Sequence, residues 1–118
     1  MPGAERRDFS SPDETRRPEK TTVELVNLAG GQIGRYTFQP GWRWSECIKP
    51  VVNTDSCQVE HIGYVVSGTL HVKHEDGTEL DVKPGEVYRI APGHDAWNPG
   101  QEPAVFVEFQ GAAHYAQR

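Results

Sequence analysis

The chain has 118 residues, of which 36% are hydrophobic and 25% are charged, and its formal net charge is −5 at pH 7. This length predicts one domain. No apolar run approaches the roughly 20 residues that a membrane-spanning helix needs, so no membrane association is expected. Residues 1–20 balance five basic against five acidic side chains, which places the whole negative charge in residues 21–118. An acidic domain without a basic stripe is not expected to bind nucleic acid.

Residues 1–20 are interpreted as a flexible N-terminal tail, and residues 21–118 as the domain. The tail is rich in proline, serine and charged residues and lacks apolar periodicity. Its removal is expected to change the free energy of unfolding by less than about 1 kcal/mol. Because charges stand where a secretory signal needs an apolar stretch, a cytoplasmic location is expected. In that compartment Cys47 and Cys57 are thiols or metal ligands rather than a disulfide.

From Thr21 onward, short segments with alternating apolar and polar residues are separated by glycine and proline pairs. Such segments, rich in β-branched and aromatic residues, are typical of strands, and no helix of ordinary length is predicted. Asp76-Gly77 is the clearest hairpin turn. The predicted fold is all-β, an antiparallel jelly-roll sandwich or small barrel. The predicted strands are Thr22–Leu28, Arg35–Gln39, Trp42–Ile48, Gln58–Val66, Thr69–Lys73, Glu79–Val82, Glu86–Ile90 and Ala104–Phe109.

The first candidate ligands lie in the segment that begins at Asp55. Alternation places Cys57 and His61 on the strand face that also carries Val59 and Val65. Asp55 shares that parity if the strand extends so far back. The opposite face is also partly apolar, so the pattern leaves open which face is the inner one. If the face of Cys57 and His61 is the core, it holds two metal-capable side chains.

The third candidate ligand, His94, follows a predicted strand and a Pro-Gly turn that would direct its imidazole toward the mouth of the barrel. Gly85 and Gly93 keep the spacing of the two glycines in the pattern G-x5-P-x-G-x2-H-x3-N, and His94 with Asn98 reproduces its closing H-x3-N. The proline stands one residue late, and the loop before His94 is two residues shorter than the pattern. Through these residues the stretch from about residue 41 to residue 109 resembles a cupin, a small jelly-roll domain.

The other cupin motif, G-x5-H-x-H-x3-4-E-x6-G, matches by position rather than by identity. Counted back from Gly68, its two histidine positions fall on Asp55 and Cys57, and its glutamate position falls on His61. Cupins hold Fe, Mn, Ni, Zn or Cu on three histidines and one glutamate. The resemblance therefore implies a divalent metal on a changed set of ligands.

Two ligand sets are consistent with these residues. Cys57, His61 and His94 offer one thiolate and two imidazoles with a position left open, which suits zinc, the favoured metal. Asp55, His61 and His94 would form a two-histidine, one-carboxylate face that suits iron or manganese. Nickel is a further alternative, and all four residues could bind together. The readings without metal are a buried apolar Cys57, a hydrogen-bonded core His61, a surface His94, or a Cys57 nucleophile.

The resemblance implies a small metal-binding cupin that binds or transforms a small organic molecule, with the metal acting as a Lewis acid or activating a water. The alternative is a non-catalytic cupin that binds a ligand or an effector. Small cupins usually pair through edge strands, so a homodimer is expected. Trp97 is interpreted as a core or interface side chain that could also form a pocket wall. His71, His74 and His114 are interpreted as solvent-facing or inert.

Overall fold

Strands and tight turns make up most of the computed structural model, which describes residues 3–110 and 115–116. Over these residues it contains nine strands and two helices of four residues each, neither of them long enough to cross a membrane. In chain order the elements are β1 (Glu14–Arg16), β2 (Thr21–Leu28), β3 (Gly31–Phe38), α1 (Trp44–Cys47), α2 (Lys49–Val52), β4 (His61–Ser67), β5 (Leu70–His74), β6 (Glu79–Val82), β7 (Val87–Ile90), β8 (His94–Trp97) and β9 (Ala104–Gln110).

Two antiparallel sheets enclose one hydrophobic core. The larger sheet has the strand order β1-β2-β3-β9-β4-β7, and the smaller sheet has the order β6-β5-β8. Side chains of both sheets join in the core, and its largest fully buried members include Tyr36, Trp42, Trp44 and Phe106. The predicted hairpin at Asp76-Gly77 joins β5 to β6. The prediction of an all-β, antiparallel jelly-roll fold is confirmed.

Strand β4 shows the alternation on which the site prediction depends. His61 and Val65 are buried, whereas Ile62 and Tyr64 are exposed. The face that carries His61 is therefore the inner face. The strand begins at His61, three residues later than the predicted start.

The predicted strand over residues 42–48 is wrong, because most of this segment forms α1. The amide of Cys47 donates to the carbonyl of Arg43 at 2.9 Å, as in a helical turn. Trp44, Cys47 and Ile48 are all buried. Cys47 and Ile48 lie three and four residues after Trp44, a spacing that places all three on one face of a helix. This helical spacing prevails over the alternation of Trp42 and Trp44 that suggested a strand.

Two strands are absent from the predictions. Strand β8 directly follows Pro92-Gly93, where a turn alone was expected, and pairs with β5. Strand β1 lies within the predicted tail and pairs with β2, and the Arg16 guanidinium donates to the carbonyl of Tyr115 at 2.7 Å. With three residues, β1 is too short to show a pattern of its own, and β8 begins directly at the Pro-Gly turn that was interpreted as a loop. The domain boundary at residue 20 stays a prediction.

Candidate metal centre

Three side chains with metal-ligating atoms meet in the core: Cys57, His61 and His94. All three are buried, and one ligand atom from each lies within 4.8 Å of the other two. Sγ of Cys57 is 3.6 Å from Nε2 of His61. Across residues 3–110 and 115–116, no other three cysteine, histidine or acidic side chains come together in this way. These three residues form the candidate metal centre.

Three separate segments supply the centre. His61 is the first residue of β4, and His94 is the first residue of β8. Cys57 forms an isolated β-bridge with His94, in which the Cys57 amide donates to the His94 carbonyl at 2.8 Å. The Gly93 amide in turn donates to the Cys57 carbonyl at 2.7 Å. This bridge, rather than one continuous strand from Cys57 to His61, brings the thiol to the imidazoles.

Asp55, the fourth predicted ligand, is not brought to the centre. It is exposed and lines a surface groove together with Lys73 and Glu75. The alternation that would have turned it inward is interrupted, because β4 does not extend back beyond His61. The geometry therefore favours the set of one thiolate and two imidazoles over the set with one carboxylate.

Nδ1 of each imidazole in the centre already has a hydrogen-bond partner. Nδ1–H of His61 donates to Oε1 of Glu108 at 2.6 Å, and Nδ1–H of His94 donates to the carbonyl of Ala91 at 2.7 Å. The hydroxyl of Tyr88 donates to Oε2 of the same carboxylate at 2.6 Å. A histidine held in this way presents Nε2 as its ligand atom, and the partner fixes the orientation of the ring.

The sequence analysis missed Glu108, although a signal for it exists. In β9 this residue shares the parity of Ala104 and Phe106, and all three are buried. A carboxylate on the inner face of a strand needs partners, because an unpaired buried charge is costly. Here the partners are His61 and Tyr88.

Gly63 provides the space that the Glu108 carboxylate occupies. A Cβ at this position would lie 2.6 Å from the Val107 carbonyl oxygen, 2.8 Å from the Tyr88 hydroxyl and 2.9 Å from Cγ of Glu108. Any side chain larger than hydrogen would displace one of these groups. The close approach of β4 and β9 at this point therefore requires glycine.

The neighbours of Cys57 and His61 shift the pKa values of both side chains. Burial raises the pKa of the Cys57 thiol, but hydrogen bonds and charge interactions with His61 and His94 outweigh burial and lower the pKa to about 6. Burial lowers the pKa of His61, but the charge of Glu108 and the contact with Cys57 outweigh it and raise the pKa to about 10. The centre without metal thus pairs a thiolate with an imidazolium. A metal would replace the proton on Nε2.

Two cavities border the centre. His61 and His94 line a cavity of about 20 Å³ with largely aromatic walls, which has room for one or two water-sized molecules. Cys57 lines a second cavity of about 200 Å³ beside α1 and α2. Tyr115 lines both cavities, and its ring centroid is 5.5 Å from that of His61. This tyrosine therefore forms a shared wall.

Two residues that follow His94 in the chain, Trp97 and Asn98, do not contribute to the candidate metal centre. Trp97 does not line the small cavity; its ring packs under the Arg43 guanidinium, 4.1 Å from the centroid. Asn98 is buried, but its side-chain amide donates to the carbonyls of Phe38 and Glu102 at 3.1 and 3.0 Å. The side chain of Asn98 therefore links two backbone segments by hydrogen bonds and does not face the metal-ligating atoms.

The other histidines lie apart from the centre. His71 is half-buried, and its two ring nitrogens lie 2.6 Å from carboxylate oxygens of Asp81 and Glu79. His74 is also half-buried and contacts the carbonyl of Pro92 at 2.8 Å. Both rings lie at the surface and are covered in part, by these polar neighbours and, for His71, by the ring of Trp97 at 4.5 Å between centroids. His114 lies outside the described residues.

Comparison with known protein families gives a match to the profile described as "Cupin domain" over residues 34–109, well over half of the chain. Comparison with curated protein sequences gives no significant match. Several solved structures are similar to the chain. One is the Drosophila melanogaster CENP-C cupin domain, with 13% identity and a TM-score of 0.60, covering 91% of this chain and 84% of that one.

Two further similar structures come from bacteria. A cupin-like protein from Thermotoga maritima has 19% identity and a TM-score of 0.53, and the match covers 80% of this chain and 70% of that one. An oxalate decarboxylase from Lactobacillus farciminis, solved as a formate complex, has 19% identity and a TM-score of 0.61. That match covers 86% of this chain but 32% of the enzyme. At these identities the likeness shows the fold alone.

Proposed function

This chain belongs to the cupin domain family, and we propose that it is a small metal-binding cupin that acts on or binds a small organic molecule. In this proposal Cys57, His61 and His94 hold one divalent metal, and the molecule binds at the coordination position left open. The observation that carries the proposal is the convergence of three buried donors, two of which present Nε2 because Nδ1 is engaged.

The donor set fits a metal, and zinc best. One thiolate and two imidazoles are ligands that zinc accepts in tetrahedral sites, and three protein ligands leave one position for water or substrate. Iron, manganese and nickel are the alternatives, which favour nitrogen and oxygen donors to different degrees. Both cysteines are free thiols, as a reducing compartment such as the cytoplasm would keep them.

The metal, when bound, would supply Lewis-acid character or lower the pKa of a bound water. The protein's own residues would set the conditions for that chemistry. Glu108 holds the ring of His61 in place, and Tyr88 holds Glu108. The aromatic walls of the small cavity, among them Phe106, would exclude bulk water. This arrangement is compatible with hydrolysis, isomerisation, decarboxylation or oxygen chemistry.

Elemental analysis of the untagged full chain, purified without chelator, tests the proposal. We expect near-stoichiometric metal in the native protein and in Asp55→Ala, and loss of metal in His94→Ala. His71→Ala is the matched control, because it removes an imidazole that lies apart from the centre. Native protein that stays free of metal after reconstitution, or His94→Ala protein that keeps its metal, would reject the site. Zinc would direct further work to hydrolytic or lyase chemistry, and iron to oxygen chemistry.

The second candidate is a non-catalytic cupin that binds a small ligand or effector. The cavity beside His61 and His94 is about 20 Å³, which is too small for an organic substrate in this conformation. This size favours the form of the second candidate in which the donor residues have a structural role. The visible spectrum of the Co(II)-loaded protein distinguishes the two. A spectrum that small ligands change indicates an open position and supports chemistry, whereas a spectrum that no ligand changes indicates a closed structural site.

We also propose that two copies of the chain form a homodimer. The outer face of β4, β7 and β9 carries exposed apolar side chains, and Val87 is 77% exposed. In the described part of the chain, β7 is an edge of the larger sheet. A second copy would cover this apolar face and the unpaired edge. The face consists of Ile62, Tyr64, Val66, Val87 and Phe109.

A further inference from the structure

We propose that His74 is a positioning residue of the candidate metal centre, which acts through the turn of residues 91–93 on the ligands His94 and Cys57. This turn joins β7, which ends at Ile90, to β8, which begins at His94. The inference deepens the proposed function and rests on it, since it concerns how the same three donors are held in place.

Strand β5 brings His74 beside the turn. His74 is the last residue of β5, and its register partner on the neighbouring strand is His94. Its side chain packs directly against the turn, because a Cβ on Gly93 would lie 3.4 Å from Nε2 of His74. His74 is therefore adjacent to a ligand of the centre in the sheet, although it does not belong to the cluster of three donors.

Two successive carbonyls of the turn accept hydrogen bonds from two histidines. Nδ1–H of the ligand His94 donates to the carbonyl of Ala91 at 2.7 Å. Nε2–H of His74 donates to the carbonyl of Pro92 at 2.8 Å. The direction of the Ala91 carbonyl determines the orientation of the His94 ring.

Pro92 couples these two hydrogen bonds to each other. Two peptide planes that meet at one residue turn relative to each other only about φ and ψ. The ring of Pro92 fixes φ at about −65°, so ψ is the single remaining rotation between the plane of the Ala91 carbonyl and the plane of the Pro92 carbonyl. Because the hydrogen bond from His74 holds the second plane, it also restricts the direction of the first.

The turn sets the position of Cys57 as well. The Gly93 amide donates to the Cys57 carbonyl at 2.7 Å, and the Gly93 carbonyl accepts from the Glu75 amide at 2.9 Å. The hydroxyl of Ser56, the residue before Cys57, donates to the Glu75 carboxylate. A displacement of the turn would therefore move the thiol ligand together with the imidazole ligand.

Asp76 fixes which nitrogen of His74 faces the turn with a proton. The Asp76 amide donates to Nδ1 of His74 at 3.0 Å, which leaves the proton of the neutral ring on Nε2. Oδ1 of Asp76 lies 3.1 Å from the same Nδ1 and would accept its proton in a charged ring, where Nε2 still carries a proton. The donor to the Pro92 carbonyl is thus present in both protonation states.

The alternative is that His74 only packs at the end of β5. Pro92 is exposed, so water could replace the imidazole as donor to its carbonyl. In that case the loss of His74 would leave the affinity and the geometry of the metal centre unchanged. A glutamine at this position separates the two roles, because it keeps an N–H donor at a similar reach but has no ring.

The experiment compares the Co(II)-loaded native full chain with His74→Leu and His74→Gln by visible absorption and by competition with a chelating dye. We expect His74→Leu to shift the Co(II) bands and to weaken Co(II) binding by about tenfold, the effect of one lost hydrogen bond. His74→Gln should restore the native bands, with an affinity within about threefold of the native one.

His71→Leu is the matched control, because His71 lies on the same strand but contacts Asp81 and Glu79. Its Co(II) bands and affinity should equal those of the native protein. His74→Leu with native bands and native affinity would overturn the inference. So would His74→Gln as impaired as His74→Leu, since the hydrogen bond would then not be the cause.

Hydrogen exchange in the ¹⁵N-labelled protein without metal separates this inference from the metal proposal. The amides of Cys57 and Gly93, which form the bridge, should exchange about tenfold faster in His74→Leu. The Asn98 amide, which donates to the Trp42 carbonyl at 2.9 Å, is the internal control. Faster exchange with no Co(II) binding by the native protein would reject the metal centre and keep the role of His74 in holding the bridge. Native Co(II) binding with unchanged exchange and bands in His74→Leu would reject that role and keep the metal centre.

Discussion

The carboxylate of Glu108 accepts a hydrogen bond of 2.6 Å from Nδ1 of His61, a residue 47 positions earlier in the chain. The pairing of β4 with β9 brings the two residues together. Through this contact a side chain that does not face the metal position controls the tautomer and the angle of one that does. The geometry of the candidate metal centre therefore depends on β9 as much as on the segments that carry the donors.

Glu108→Gln is expected to weaken metal affinity by about 10- to 100-fold, because an amide accepts the His61 proton less strongly and offers an N–H to the Tyr88 hydroxyl. Competition with a chelating dye measures the change. Glu24→Gln is the control, since Glu24 is also partly buried but forms its ion pair with Arg35 at 2.9 Å, away from the centre. Equal metal affinity in the two variants would show that Glu108 does not orient the ligand.

In the protein without metal, absorbance at 240 nm should rise as pH increases through about 6, because Cys57 becomes a thiolate there. The ordinary cysteine pKa is 9.0, so the folded state favours the thiolate. Its contribution to stability is fully present above pH 9 and is lost as pH falls through 6. Cys57→Ser should abolish the step, and Cys47→Ala should retain it, since burial raises the pKa of Cys47. If the step disappeared in Cys47→Ala and persisted in Cys57→Ser, the thiolate would belong to Cys47 and the prediction would be wrong.

Gly63→Ala should lower the free energy of unfolding by about 1–3 kcal/mol, because the added methyl group overlaps the Val107 carbonyl, the Tyr88 hydroxyl and Glu108. Urea denaturation measures this loss, and metal affinity should fall with it as Glu108 moves. Gly30→Ala is the matched control, because no atom lies within 4 Å of a Cβ at that position. Its effect should stay within about 0.5 kcal/mol. If Gly63→Ala were as stable as Gly30→Ala, β4 and β9 would be able to move apart at this point without loss of free energy of unfolding, and the prediction would be wrong.

Val87→Lys should convert a dimer into a monomer, since it places a charge on the edge strand of the exposed apolar face, where a second copy would pack. Size-exclusion chromatography with light scattering would report twice the 13.2 kDa chain mass for the native protein and the single mass for the variant. Leu80→Lys serves for comparison, because this exposed leucine lies on β6 of the other sheet. Native protein of 13.2 kDa at every concentration would refute the dimer.

Removing residues 1–17 should lower the free energy of unfolding by about 2 kcal/mol, because β1 and the bond from Arg16 to the Tyr115 carbonyl are lost and each hydrogen bond contributes about 1 kcal/mol. This replaces the smaller effect expected from the composition of the tail. Removing only residues 1–11 retains β1 and should cost less than about 1 kcal/mol, because the contacts that it removes, from Arg7 to the Asn27 carbonyl and from the Ala29 amide to Glu5, are exposed and contribute little. Thermal and urea denaturation of both truncations test the difference, and equal losses would show that β1 adds no stability.

Local patterns were sufficient for part of the site. Alternation predicted that Cys57 and His61 lie close together, although the bridge between Cys57 and His94, and not one continuous strand, brings them together. His94 could be found from Gly93 and Asn98. The same alternation separated the two faces of β4 but left open which of them is the inner one. Glu108 could not be assigned to His61 in this way, because their contact depends on which strands become neighbours. The prediction that Asp55 is a ligand was wrong for a related reason. The alternation of inward and outward side chains holds only within a strand, and β4 does not extend back to Asp55.

The contact between Arg16 and Tyr115 joins positions 99 residues apart, and Tyr115 forms the wall shared by both cavities. During synthesis, residue 115 emerges after every strand described above. Both β1 and residue 115 must therefore be in place before the donors have this wall. Closing a loop of such length is also slow compared with forming hairpins. The wall beside the donors thus depends on a contact between the two ends of the chain, and not on the sheets alone.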